Sequence, residues 1–552
     1  MSRFSLRRFV AATLTVAAFG ISAHADTLLK AGDRVVIYGD SITEQRLYSR
    51  YVQQYVYVRY PELKVKFFNA GWGGDTAPGG LGRLERDVLS LKPTVVTLFF
   101  GMNDGGYKPV EQATIDRYRA GMEGIITALQ AKGVRVVVFT PGAVDYDRQA
   151  RLKDADYNKT LEALGNVGKE LAAKYNLPFQ DVIHPMIAFQ DAQKAKNPQF
   201  TMTPDSVHPS APGHLVMAQQ MLKGLGAEAM PSLGTIDLAT NQAQGLKVVN
   251  RTPTQIDLES AAPENVPFWF DAGSTMVMRD SGFLDMASQK LTVKGLAPGS
   301  YRIMVDGASA GQFSSEALAA GASLPGSYSM QGKRVHDMAE MKENNYFAAW
   351  RTVRLPLADV PGSQQVVDGL MAADDGYHAV IHSSAMPLPK VSLTLIVAPE
   401  GANLALKKRY EVSDPNGYNW GIGGLTDGSW EANAQHAFAT GDKDAFPKTA
   451  TIDLEQNARI GTVTLGVPEF GSTKTIKVAV SKDGQAFTEV GTHEFSLRKA
   501  ERFTYTFAPV EARYVRVIYP DHYDETVGYS PNFSFTTEVE VYAPGKGALG
   551  TP

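Results

Sequence analysis

The amino-acid sequence predicts an α/β domain, three-layered αβα around a parallel sheet, followed by a β-rich middle region and a C-terminal β-sandwich. Residues 30–225 alternate short, near-continuous Val/Ile/Phe runs with amphipathic stretches, the pattern of parallel strands covered by helices on both faces. Beyond about Met230 the runs become strands with period-two alternation, broken by a helical stretch. At 552 residues the chain also exceeds what one ordinary core holds, so several domains are expected.

Arg3, Arg7 and Arg8 precede an apolar stretch from Phe9 to Gly20, and Ala23-His24-Ala25 supplies a small-x-small cleavage pattern. This predicts a signal peptide over residues 1–25 and export to the periplasm or medium. The apolar stretch is shorter than the roughly 20 residues of a membrane span. Arg7-Arg8-Phe9 matches a twin-arginine signal in part, which leaves the export route open.

The α/β domain is expected over residues 26–228. Its strand candidates are Arg34–Tyr38, Val65–Phe68, Thr94–Phe100, Val134–Thr140 and Pro178–Val182, and its helical stretches include Glu44–Tyr60, Glu111–Ala131 and Tyr157–Tyr175. A β-rich middle domain with a helical element is expected over 229–398. In it Leu291–Val305 reads as two alternating strands joined at Pro298-Gly299, and a helical stretch covers roughly Arg334–Trp350. Phe268-Trp269-Phe270 reads as sandwich core rather than a ligand contact, and no chemistry is legible in this region. Residues 399–545 form a separate β-sandwich, with an Asp483-Gly484 hairpin turn and a half-buried strand from Arg513 to Tyr519.

A formal net charge of −4 gives no basic footprint for nucleic acid. The absence of cysteine excludes disulfides, a thiol nucleophile, a lipid-modified cysteine and Cys-ligated zinc.

Four segments carry chemistry. Gly39-Asp40-Ser41 follows the first strand and opens a helix, where a serine can attack a carbonyl and its N–H can face an oxyanion. Ser41-Ile42-Thr43-Glu44 equally fits a capping box. Asn69–Thr76 follows the second strand and Gly101-Met102-Asn103-Asp104 the third. Glycine admits close backbone approach and an Asn amide supplies donors, although both residues also suit plain turns. In Asp205-Ser206-Val207-His208, two intervening residues allow the carboxylate to hold one ring nitrogen while the other serves as base. His214 reads as structural.

Gly39-Asp40-Ser41, Gly74 in Gly73-Gly74-Asp75-Thr76, Asn103 in Gly101-x-Asn103-Asp104, and Asp205-x-x-His208 together resemble the four blocks of SGNH/GDSL hydrolases. The resemblance implies Ser41 as nucleophile, His208 as base, Asp205 as its orienting partner, and an oxyanion hole from Ser41, Gly74 and Asn103. Gly74 is preferred over the neighbouring Gly71 and Gly73 because it directly precedes Asp-Thr. Further on, Leu425-Thr426-Asp427-Gly428, Ile452-Asp453-Leu454, Val480–Phe487, Ala512–Val517 and Glu538–Tyr542 are similar to discoidin-type (F5/8 type C) modules with a galactose-binding-like fold. Trp420 and Trp430 are either sugar platforms or half-buried loop residues.

With the predicted export, these resemblances imply a secreted serine esterase that removes O-acetyl groups from a polysaccharide or oligosaccharide of hemicellulose or pectin type. No cofactor is required for catalysis, no metal ligand is assigned, and a structural calcium in the C-terminal module is compatible with the resemblance. No nucleic-acid partner and no membrane anchor are expected. The rival readings are a lipase, thioesterase or lysophospholipase, a glycan O-acetyltransferase, and a non-catalytic glycan-binding protein.

Overall fold

The structure, a computed structural model, describes residues 27–544 apart from 253–254, 271–273, 398–402, 418–423 and 435. The expected signal peptide, Trp420 and the expected boundary at 398–399 lie outside the described residues.

Five parallel strands, β1 (Arg34–Gly39), β2 (Lys66–Gly71), β3 (Val95–Phe99), β4 (Arg135–Phe139) and β5 (Phe179–Gln180), form one sheet in the order β2-β1-β3-β4-β5. Alternate residues of single strands enter two different cores. Val35 and Ile37 of β1 join Phe67, Val95 and Val137 on one side, and Val36 and Tyr38 join Phe68, Val96 and Val138 on the other. Helix α2 (Leu47–Arg59) and the Ala211–Gly224 helix cover the first face. Helix α3 (Ala77–Asp87) and the Gln112–Gln130 helix cover the second. Burial on both faces is why these strands read as continuous apolar runs.

The middle region contains two sheets. Gln289–Lys294 pairs in parallel with Gly234–Asp237 and antiparallel with Ala322–Leu324. Ser300–Val305 instead lies between Ala308–Ser314 and Ser392–Val397 in a second sheet. The two strands expected on either side of Pro298-Gly299 are present, and the connection between them is a corner between sheets. Leu291 and Val293 of one strand meet Ile303 and Val305 of the other in a shared core, so the alternation reports two faces meeting across that core. Phe268 and Phe270 are buried, but with Tyr55 of α2 and Phe283 in a core of the α/β domain and not between these sheets.

The helical element is larger than the sequence suggested. Met330–Phe347 continues into a π-helical turn, Ala348–Arg354, and a second long helix spans Ser363–Ser384. Together they cover the open edge of β2. Phe67 N–H donates to His378 Nε2 at 3.3 Å, buried Lys342 Nζ donates to Phe67 O, and His382 Nε2 donates to Val65 O at 3.0 Å. These side chains take the place of a sixth strand. An unpaired strand edge is otherwise a site of unwanted pairing, and each buried unsatisfied backbone group costs about 1–3 kcal/mol.

The C-terminal region is antiparallel. Lys448–Val467 and Glu501–Tyr519 form the long central pair of a six-stranded sheet, and Thr475–Ser481 and Thr488–Glu494 form the hairpin around Asp483-Gly484. Asp483 Oδ1 accepts from the backbone of Gln485 and Ala486, and Gly484 takes φ +77°, which suits glycine. Trp430 is occupied within the fold: its indole N–H donates to Glu540 at 3.3 Å and Arg502 lies 4.1 Å from its ring.

Candidate active site

The nucleophile candidate sits where β1 turns into helix α1 (Ser41–Glu44). Gly39 is required for close approach, because a Cβ there would lie 2.2 Å from Thr43 Oγ1 and 2.5 Å from Phe99 O. Asp40, not Ser41, caps the helix: its Oδ1 accepts from Ile42 N–H at 3.0 Å. The Ser41 hydroxyl is thereby left for other contacts. It meets His208 Nε2 at 2.8 Å.

The second half of that contact is made by one turn. Asp205 Oδ2 lies 2.7 Å from His208 Nδ1, while Oδ1 accepts from the N–H groups of Val207 at 3.0 Å and His208 at 2.7 Å. Ser206, buried with φ +76°, bends the chain so that the carboxylate reaches the ring. Burial works to raise the Asp205 pKa, but the bonds from the His208 ring and the two backbone N–H groups outweigh it and hold the carboxyl below its ordinary value. An acceptor at Nδ1 fixes the tautomer in which Nε2 can take a proton.

The glycine cluster separates by geometry. Gly71 ends β2, its N–H donates to Asn69 Oδ1, and a Cβ on it would lie 2.2 Å from Glu44 N. Gly73 faces the Glu44 carboxylate, with Oε2 2.8 Å from where a Cβ would be. Gly74 takes φ +73° with open space around it. Asn103 Nδ2 donates to Asp75 O at 3.0 Å, directly beyond Gly74, so residues 28 positions apart lie side by side. His208 is in direct contact with both Ser41 and Asp205, and Asn103 bonds to the residue after Gly74. His214 stays apart, buried against Tyr48 and within 2.9 Å of Gln45 Oε1, with burial pushing its pKa down to about 3.

Tyr107 and Arg83 contribute without any signal in the motifs. Tyr107 donates its hydroxyl to Asn103 Oδ1 at 2.8 Å and so sets which way the amide faces. Arg83 ties the Gly39 turn to the Asn69–Thr76 segment, donating to Gly39 O at 3.0 Å, Ala70 O at 2.8 Å and Asp75 Oδ2 at 2.7 Å. Asp40 and Asp104 are buried, each with an unpartnered Oδ2, and burial pushes their pKa values up to about 8 and about 7. Among the described residues no group of three or more His, Cys, Asp or Glu is arranged to hold a metal, and no helix is long and apolar enough to cross a membrane.

Comparison with known proteins agrees with this geometry. Residues 37–216 match the GDSL-like lipase/acylhydrolase family. The N-terminal part of this chain is a GDSL-like acylhydrolase domain. It is 26% identical over 219 residues to an acetylxylan esterase of Geobacillus stearothermophilus, covering 36% of this chain and 96% of that protein. The acylhydrolase assignment makes the protein a carboxylic ester hydrolase. Residues 424–517 match a NedA-like galactose-binding domain of the F5/F8 type C kind. Among solved structures, a gut microbial diltiazem-metabolizing enzyme aligns at 22% identity with a TM-score of 0.54. The alignment covers 67% of this chain and 99% of that one, so its fold extends beyond the acylhydrolase domain.

Proposed function

We propose that the protein is an exported serine esterase that removes O-acetyl groups from a polysaccharide of hemicellulose or pectin type, through an acyl-enzyme on Ser41. The observation that carries the reading is the unbroken chain from Asp205 through His208 to the Ser41 hydroxyl, with contacts of 2.7 and 2.8 Å. His208 takes the Ser41 proton as the serine oxygen attacks the acetyl carbonyl. The developing oxyanion is received by the N–H groups of Ser41 and Gly74 and by the Asn103 amide. Collapse expels the sugar alcohol with the proton from His208, and water activated by the same base releases acetate.

The acetylxylan esterase relative and the galactose-binding-like module support a carbohydrate substrate. The basic and apolar residues before Asp26 support export. A structural calcium in the C-terminal module remains part of this reading with no ligands assigned, since among the described residues no group of three or more His, Asp or Glu is arranged to hold one.

Acetate release from a panel of native acetylated polysaccharides, compared with hydrolysis of model esters, tests the reading. Release by the wild type and none by Ser41→Ala is expected. Faster turnover of octanoyl than acetyl esters would overturn the carbohydrate assignment and favour a lipase-type acylhydrolase.

A further inference from the structure

We infer that Arg351, supplied by the middle region, is a positioning residue for ester hydrolysis, holding the Trp72-Gly73-Gly74 segment against the Ser41 turn through Glu44 and Trp72. The inference rests on Ser41 being the nucleophile. Arg351 lies in the π-helical turn Ala348–Arg354 that extends the Met330–Phe347 helix. Such turns are rare and are frequent at functional sites. This one directs two consecutive residues toward the acylhydrolase domain. Trp350 donates its indole N–H to Asp87 Oδ1 at 3.1 Å, and its ring meets that of Trp72 edge-on at 6.1 Å. Arg351 donates from Nε and Nη2 to Glu44 Oε1 at 3.1 and 2.7 Å, and its guanidinium carbon lies 3.7 Å from the Trp72 ring centre.

Both partners of Arg351 belong to the site. Glu44 ends the four-residue helix that Ser41 begins, and its other carboxylate oxygen faces Gly73. Trp72 is the residue before Gly73, and its N–H donates to Gly39 O at 3.1 Å. One guanidinium therefore clamps the nucleophile turn and the glycine segment together from outside the acylhydrolase domain. Without it, a half-buried Glu44 would press an uncompensated charge against the Gly73 backbone. Only a planar fork can pair with the carboxylate and lie over the indole at once, so lysine is an incomplete substitute.

The test uses the whole protein and 4-nitrophenyl acetate. Arg351→Met is expected to lower kcat about tenfold, a fraction of the 10²–10³ lost when an oxyanion donor is removed outright, with KM within about twofold. Arg351→Lys should recover part of that loss. Glu44→Gln should lower kcat as well, and the double variant Arg351→Met/Glu44→Gln should be no worse than Arg351→Met, because both act through one contact. Rates are expressed per serine labelled by a fluorophosphonate, which removes any unfolded fraction. Wild-type kcat in Arg351→Met, or fully additive losses in the double variant, would overturn the inference. If Arg351→Met does not fold, Arg351→Lys and Glu44→Gln decide it: reduced kcat at constant KM in both supports it, and wild-type kcat in both overturns it. Activity persisting in Ser41→Ala would instead remove the nucleophile assignment, a separately readable failure.

Discussion

The Ser41 hydroxyl lies 2.8 Å from His208 Nε2, although 167 positions separate the two residues. The imidazole is aimed by Asp205, yet the Asp205 side chain is 56% exposed, so water shares the work of stabilising an imidazolium. Replacing a buried triad aspartate by asparagine costs about 10⁴ in kcat. Asp205→Asn is therefore expected to lower kcat by less than that while still reducing it clearly, as measured by steady-state kinetics on a soluble acetyl ester. An unchanged kcat would mean that Asp205 does not orient the ring.

Asn103 and Tyr107 form a graded pair. Asn103→Ala should lower kcat by about 10²–10³, in line with other oxyanion-donor deletions. Tyr107→Phe removes only the hydroxyl that fixes the amide at 2.8 Å, so a smaller loss in kcat at similar KM is expected. Equal turnover in wild type and Asn103→Ala would take this residue out of the mechanism.

The contact between the middle helices and β2 should be sensitive to acid. His378 accepts from Phe67 N–H and must be neutral to do so; burial pushes its pKa down to about 4, against about 6.5 for a free imidazole. The unfolded chain binds the extra proton between those values, so the His378 contribution is whole above about pH 6.5 and is lost as pH falls toward 4. The gap in Tm between wild type and His378→Gln should thus narrow on going from neutral pH to about pH 4.5. Taking a difference cancels Asp40 and Asp104, whose raised pKa values shift stability the other way, lowering it as pH rises. A gap that widens on acidification would contradict this account.

Deletion of residues 400–552 should spare hydrolysis of small soluble esters and reduce acetate release from polymer. The proposed nucleophile, base and donor residues all lie before residue 210, whereas the module meets Arg302 of the middle region, which reaches Glu540 at 3.4 Å and Thr464 at 3.5 Å. Equal loss on both substrates would mean that the module supports the fold instead of recruiting substrate.

The parallel sheet was legible because strands buried on both faces leave continuous apolar runs, and three of the four motif segments were legible because each follows such a strand, whereas Asp205–His208 lies in a loop between two helices. The capping alternative at Ser41 resolved only in three dimensions, when Asp40 proved to be the cap. At Pro298-Gly299 the alternation announced both strands but not their partners, which lie in different sheets, since period-two patterning marks faces and not partners. Arg351, Lys342 and His378 carried no local signal. Their partners Glu44 and Phe67 lie 307, 275 and 311 positions away, and nothing in a helix-forming segment announces that it will cover a distant strand edge.

The central claim is that Ser41 is activated by His208. Mass-spectrometric mapping of a fluorophosphonate adduct on the native protein, run beside His208→Ala, tests it most directly. Labelling at Ser41 in the wild type and a large drop in labelling rate in a folded His208→Ala variant are expected. Labelling at another serine, or an equal rate in both proteins, would contradict it.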